Sequence, residues 1–170
     1  MENNFKKNRA LLVIDVQNGL TKKKSIYNYN LFIATINQAI LKFRNKAEII
    51  IFVQHNNKIL IPGSFEWEID YSVKKFSGDP IIQKKQGDAF KSPELIMLLR
   101  SFNVNEIIVS GIASNGCVKN TCLGGENHGF VIKLLKNGHT NWHKSAVQIS
   151  EKTMSELSAL GIDNIGIDEI

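Results

Sequence analysis

Short apolar runs alternate along this chain with longer stretches of helical period. Ala10-Leu-Leu-Val-Ile14 is continuously apolar and closes on Asp15 before Val16, the pattern of a parallel strand buried on both faces. Glu48 to Val53 reads as a second strand, ending in Gln54-His55-Asn56-Asn57, and Ile81-Ile82 as a short third piece ending at Lys84. Ile107 to Ser110, Phe130 to Leu135 and Asn164 to Ile167 read as further strands. Between them, a helix is predicted from Leu31 to about Lys46 with Asn30 as its cap. A second starts at Ser92-Pro93, with Ser at the N-cap and Pro at the first helical position. Others are predicted from Cys117 to His128 and from Ser145 to Leu160, the last closed by Gly161. Thr21 to Tyr29, with three lysines, reads as a surface loop, Phe65 to Val73 as irregular, and Asn137-Gly138 as the start of a loop carrying His139 and His143.

Strands alternating with helices over one chain imply right-handed βαβ units. The expected fold is α/β, a three-layer αβα sandwich around a central, mostly parallel, Rossmann-like sheet, with residues 1–170 as a single domain. Ligands of such sheets bind at the carboxyl ends of the strands. That edge is where the stretch Ile107 to Val118 delivers Cys117, between a strand and a helix start. Free N–H groups and the positive end of a helix there favour a thiolate. A small buried cysteine is the commoner fate of such a residue.

Composition narrows the classes. The chain has 170 residues, of which 43% are hydrophobic and 22% charged, ordinary for a globular domain. No apolar run is long enough for a membrane span, and no signal-like segment opens the sequence, so a cytoplasmic location without membrane partners is expected. The net charge of +5 is spread over lysine pairs, with arginine only at Arg9, Arg44 and Arg100, and no basic stripe interleaved with aromatics. Nucleic acid is therefore not an expected partner. The two cysteines, Cys117 and Cys122, are poorly spaced for a mutual disulfide if Cys117 opens a helix, and the four histidines show no zinc spacing. His139 and His143 as a metal pair would need a third ligand that the sequence does not supply.

Three polar residues stand at the ends of predicted strands: Asp15, Lys84 and Cys117. Each has a plain structural explanation alone, as a turn carboxylate, an exposed lysine and a core thiol. Together at one sheet edge they would supply a base, a cation and a nucleophile.

These residues also carry a resemblance. Val13-Ile-Asp-Val-Gln17, the pattern Lys84-x-x-x-Asp-Ala-Phe90 and Gly111-Ile-Ala-Ser-Asn-Gly-Cys-Val118 resemble the isochorismatase-like cysteine hydrolases. So do Thr121, Gly125, Gly129-Phe130, His55 and Gly63-Ser-Phe-Glu-Trp67, over roughly residues 10 to 140. The resemblance implies an Asp15-Lys84-Cys117 triad that hydrolyses a small amide through a thioester, with Lys85 as the competing lysine. It implies a cis peptide at Ile112–Ala113 and an oxyanion site formed by the N–H groups of Ala113 and Cys117. It also implies a homo-oligomer. Trp67, Phe90 and Gln17 are candidate pocket residues for a small-molecule substrate, although Phe90 also suits core packing. Asp88 and Asn137 depart from the family pattern, which bears on substrate and pocket. Nicotinamidases of this family carry a metal-binding Asp-x-His pair after the second strand. Gln54-His55-Asn56-Asn57 lacks it, so no metal or other cofactor is expected. Two other classes remain open: an idle α/β domain that binds a ligand or scaffolds an oligomer, and a flavodoxin-like nucleotide binder. The second lacks a glycine-rich phosphate loop after Ile14 or Val109.

Overall fold

A computed structural model describes residues 8–22, 25–142 and 144–170. Six strands form one sheet: β1 (Arg9–Ile14), β2 (Ile49–His55), β3 (Ile81–Lys84), β4 (Glu106–Ile112), β5 (Val131–Thr140) and β6 (Asp163–Ile165). Their order is β3-β2-β1-β4-β5-β6 and every neighbouring pair is parallel. The helices are α1 (Asn18–Thr21), α2 (Tyr29–Asn45), α3 (Pro93–Ser101), α4 (Lys119–Asn127) and α5 (Ala146–Ala159). The expected α/β architecture is what the chain forms.

The alternation of strand side chains divides the core in two. Leu11 and Val13 of β1 face α2, packing with Phe32, Ile36, Ile40 and Phe43. Ala10, Leu12 and Ile14 face the other way, toward Leu95 and Leu99 of α3, Cys122 of α4 and Leu157 of α5. Each central strand is thus covered on both faces, which is why β1, β2 and β4 read as unbroken apolar runs.

Four sequence expectations are corrected. Asn18–Thr21 forms a short helix whose Asn18, Gly19 and Thr21 are buried, so the segment after Asp15 turns inward before it reaches the surface. Asn137 adopts a positive φ of 59°, and pairing resumes beyond it: Gly111 aligns with His139 and Ile112 with Thr140. His139 therefore lies in β5 rather than in a loop; His143 and the Lys23-Lys24 part of the lysine run lie outside the described residues. Helix α2 begins at Tyr29 with Asn28 at its N-cap, each two residues earlier than predicted. Finally, the helical path that opens at Cys117 begins inside a π-type segment, Ser114–Val118, which is kinked at Gly116 and runs straight into α4 at Lys119.

Candidate active site

β1, β3 and β4 deliver the three strand-end residues. After Ile14 the chain takes a positive φ of 54° at Asp15, a conformation that Asp tolerates better than most residues. The Asp15 N–H still donates to the Val53 carbonyl at 2.9 Å, which ties the turn to β2. In β3 the side chains alternate, with Ile81 and Gln83 exposed and Ile82 and Lys84 buried. Lys84 aligns with His55, the last residue of β2. Beyond β4, Ser114–Val118 forms a π-type turn in which the Val118 N–H donates to the Ala113 carbonyl at 3.2 Å. The Ile112–Ala113 peptide bond is cis. Gly111 lies so close to β1 that a Cβ there would stand 2.0 Å from the Ile14 carbonyl oxygen.

Lys84 Nζ donates to Asp15 Oδ2 at 2.8 Å, to the Gln86 carbonyl at 3.0 Å and toward Cys117 Sγ at 3.3 Å. It also lies 2.8 Å from His55 Nδ1. Both Lys84 and Asp15 are almost wholly buried, whereas Lys85 is exposed to solvent. Asp15 Oδ1 is buried with no hydrogen-bond partner among the described residues, which leaves it an open acceptor. Burial pushes the Asp15 carboxyl above the ordinary carboxylate range, against the pull of the Lys84 ammonium. Burial, and then the Asp15 carboxylate, push the Cys117 thiol up to about 11. Burial first, and then the neighbouring carboxylate, thus outweigh the helix start and favour the thiol over the thiolate. Burial and then Lys84 lower the His55 imidazole below its ordinary value.

Asp15, His55 and Cys117 each offer a ligand atom within 4.8 Å of the other two. The Lys84 ammonium is already within 3.3 Å of all three, so a metal ion there would have to displace it.

The candidate pocket residues separate. Trp67 is half-buried, and its indole N–H donates to Asn56 Oδ1 at 2.7 Å. Asn56 in turn lines a recess of about 380 Å³ that also includes Lys84, Lys85, Gln86 and Lys91. Phe90 is buried in the core against His128 and Phe130. Gln17 is wholly buried, and its amide is spent on backbone: Nε2 donates to the His55 and Trp67 carbonyls and Oε1 accepts from the His55 N–H. Both are corrected from lining to support. Asp88 also has a structural task, accepting from the Phe90 N–H at 2.8 Å, while Thr121 Oγ1 accepts from the Ala89 N–H. The family-like pattern after Lys84 thereby docks onto α4, with Gly124 leaving room for the Asp88 carboxylate.

Sequence reading placed His55 within the family resemblance without giving it a role, and missed the Gln86 carbonyl. The signal for His55 was its place at the end of β2, opposite Lys84. Ser114 was also missed: its hydroxyl lies 2.8 Å from His139 Nδ1 and 3.1 Å from Ser150 Oγ, behind Ala113. Only the re-entry of β5 after Asn137 reveals that contact.

The Isochorismatase domain model matches residues 9–163. The chain belongs to the isochorismatase family. Among its relatives, the uncharacterized isochorismatase family protein YddQ of Bacillus subtilis (strain 168) is 29% identical over 150 residues, covering 84% of this chain and 82% of YddQ. The ureidoacrylate amidohydrolase RutB of Serratia proteamaculans (strain 568) is 29% identical over 68 residues, 40% of this chain and 27% of RutB. A crystal structure of an isochorismatase family protein superposes with a TM-score of 0.86 at 27% identity, covering 94% of this chain and 98% of that one. Among the described residues of this isochorismatase family chain, no helix is long and apolar enough to cross a membrane.

Proposed function

We propose that the chain is a cysteine hydrolase that cleaves a C–N, amide-type bond of a small molecule through a thioester on Cys117. The observation that carries this reading is the Lys84 ammonium held between the Asp15 carboxylate at 2.8 Å and the Cys117 sulfur at 3.3 Å. In the first half-reaction Asp15 takes the thiol proton, the sulfur attacks the carbonyl carbon and the C–N bond breaks. Asp15 returns the proton to the departing nitrogen. In the second, Asp15 takes a proton from water, whose oxygen attacks the thioester; the carboxylic acid leaves and the sulfur is reprotonated. Lys84 stays positive throughout and offsets the charge that moves between carboxylate and sulfur. The N–H groups of Ala113 and Cys117 are the proposed donors to the developing oxyanion. Trp67 and the recess beside Asn56 are the proposed pocket.

Membership of a family in which RutB is named an amidohydrolase supports the C–N bond as the target. The competing reading, an idle ligand-binding or scaffold domain, draws on the thiol pushed up to about 11. Against it stands the buried Lys84 ammonium within 3.3 Å of both carboxylate and sulfur, which supports a charge that moves between them. No metal or other cofactor, a cytoplasmic location and a homo-oligomer belong to the same proposal, with exposed Phe65, Tyr71 and Phe76 as apolar surface for an oligomer to cover.

The test is a panel of small amides, ureas and imides read by intact mass. An acylated adduct on Cys117 should appear in the wild type, and Cys117→Ala should lose turnover by about 10⁴-fold or more. Turnover retained in Cys117→Ala would sink the mechanism.

A further inference from the structure

The Lys84 ammonium has three N–H donors and no lone pair. Four acceptors are within its reach: Asp15 Oδ2 at 2.8 Å, His55 Nδ1 at 2.8 Å, the Gln86 carbonyl at 3.0 Å and Cys117 Sγ at 3.3 Å. Three donors cannot fully serve four acceptors, so the set is one hydrogen bond short. Two of the acceptors, Asp15 and Cys117, exchange a proton in the reaction proposed above and are therefore strong acceptors at different stages. The Gln86 carbonyl keeps its character throughout. The fourth acceptor is the His55 ring nitrogen. Since an ammonium can only donate, Nδ1 must carry the lone pair, which fixes the proton of the neutral ring on Nε2.

We propose that His55 is a positioning residue of this reaction. Together with the Gln86 carbonyl it holds two Lys84 N–H groups in place, so that the third alone passes from Asp15 to the sulfur as the thiol ionises. The inference rests on reading the site as that of a cysteine hydrolase. In the step itself the S–H bond of Cys117 breaks and an O–H bond forms on the unpartnered oxygen, Asp15 Oδ1. The negative charge moves from carboxylate to sulfur. Lys84 keeps all three protons, and its third N–H follows the charge. Without His55 a second N–H would be free for the sulfur while Asp15 keeps its own, and the thiolate would no longer depend on redirecting the third.

The mounting of His55 supports this. Its side chain is clamped through its backbone, because the buried Gln17 amide takes both the His55 N–H, at 2.9 Å, and the His55 carbonyl, at 3.1 Å. Strand pairing sets it beside Lys84. Gln17, expected to line the pocket, is on this account the support of the residue that supports Lys84. The charged and titratable groups facing His55 are Lys84 from β3, Asp15 from the end of β1 and Cys117 from the turn after β4. A protonated ring could not accept from Lys84 and would set a second cation beside it. The arrangement therefore holds above the lowered pKa of His55 and is lost as pH falls through it.

The experiment needs no substrate. Alkylation of Cys117 by iodoacetamide is followed by intact mass from pH 4 to 9 in the full-length wild type, His55→Leu and His55→Asn, with Cys117→Ala to assign the label. His55→Leu removes an acceptor and frees an N–H for the sulfur, so alkylation at pH 8 should rise about tenfold. His55→Asn sets an amide oxygen near the place of Nδ1 and should keep the wild-type rate at pH 8. As pH falls through the lowered pKa of His55, the wild-type rate should fall less steeply than that of His55→Asn, because protonated His55 no longer competes for Lys84 and adds positive charge. The Asn variant has no imidazole to titrate, so its profile should follow Asp15 and Cys117 alone. Equal or slower alkylation of a folded His55→Leu overturns the proposal, and so do identical acid slopes in the wild type and His55→Asn. If His55→Leu does not fold, the Asn slopes decide. Turnover retained in Cys117→Ala would instead defeat the cysteine-hydrolase reading, a result separate from the alkylation rates.

Discussion

At the scale of single residues, the proposed nucleophile is held uncharged. A thiol pushed up to about 11 stays S–H near neutral pH, and on the proposed mechanism transfer to Asp15 is what makes it reactive. Alkylation should therefore be slow for an exposed-looking cysteine, yet faster at half-buried Cys117 than at wholly buried Cys122. His139 shows the opposite kind of storage. Burial lowers its imidazole to about 4, and its Nδ1 faces the Ser114 hydroxyl. Its folded pKa lies below the unfolded value near 6.5, so its contribution to stability is complete above about pH 6.5 and is lost as pH falls toward 4. The full loss is about 3 kcal/mol. Urea unfolding of the wild type and His139→Asn should show a steeper loss of stability in the wild type across this interval. Parallel curves would mean that His139 is not held neutral by the fold.

At the scale of elements, the approach of β4 to β1 governs how the nucleophile turn leaves the sheet. Gly111 has a φ of +126° and no room for a Cβ against Ile14, a combination that only glycine meets. Gly111→Ala should cost about 3 kcal/mol or more in urea unfolding, because either β1 or β4 must move. What was legible in the sequence follows the same physics. β1, β2 and β4 were plain because strands buried on both faces must be apolar throughout. The far half of β5 was not, since Asn137-Gly138 has the composition of a turn and the strand passes through that conformation before pairing again. Strand ends gave Asp15, Lys84 and Cys117, because a charge or thiol that closes an apolar run stands out. Gln17 was misjudged, as residue type alone does not tell whether an amide faces a cleft or a backbone, whereas Phe90 took the core place that its sequence also suited. Side-chain alternation in β3 distinguishes Lys84 from Lys85, a distinction that needs the strand's first residue to be known.

At the scale of the whole molecule, residues far apart in the chain meet at one edge of the sheet: Asp15 and Lys84 are separated by 69 positions, and Lys84 and Cys117 by 33. Asp15 and Cys117 come from central strands packed on both faces, β1 and the end of β4. Lys84 arrives on β3, a four-residue strand at the sheet's border that pairs only with β2. Segments with few buried contacts open at lower free energy than the whole domain. A short border strand of the sheet therefore carries the group on which the proposed charge movement depends. Hydrogen exchange should be faster at Ile82–Lys84 than at Leu12–Ile14, and in rising urea turnover should fail before the far-ultraviolet dichroism does. Coincident transitions would mean that β3 melts only with the rest. Fraying of one short border strand would act as a fuse, disabling the catalyst while the protein is still folded.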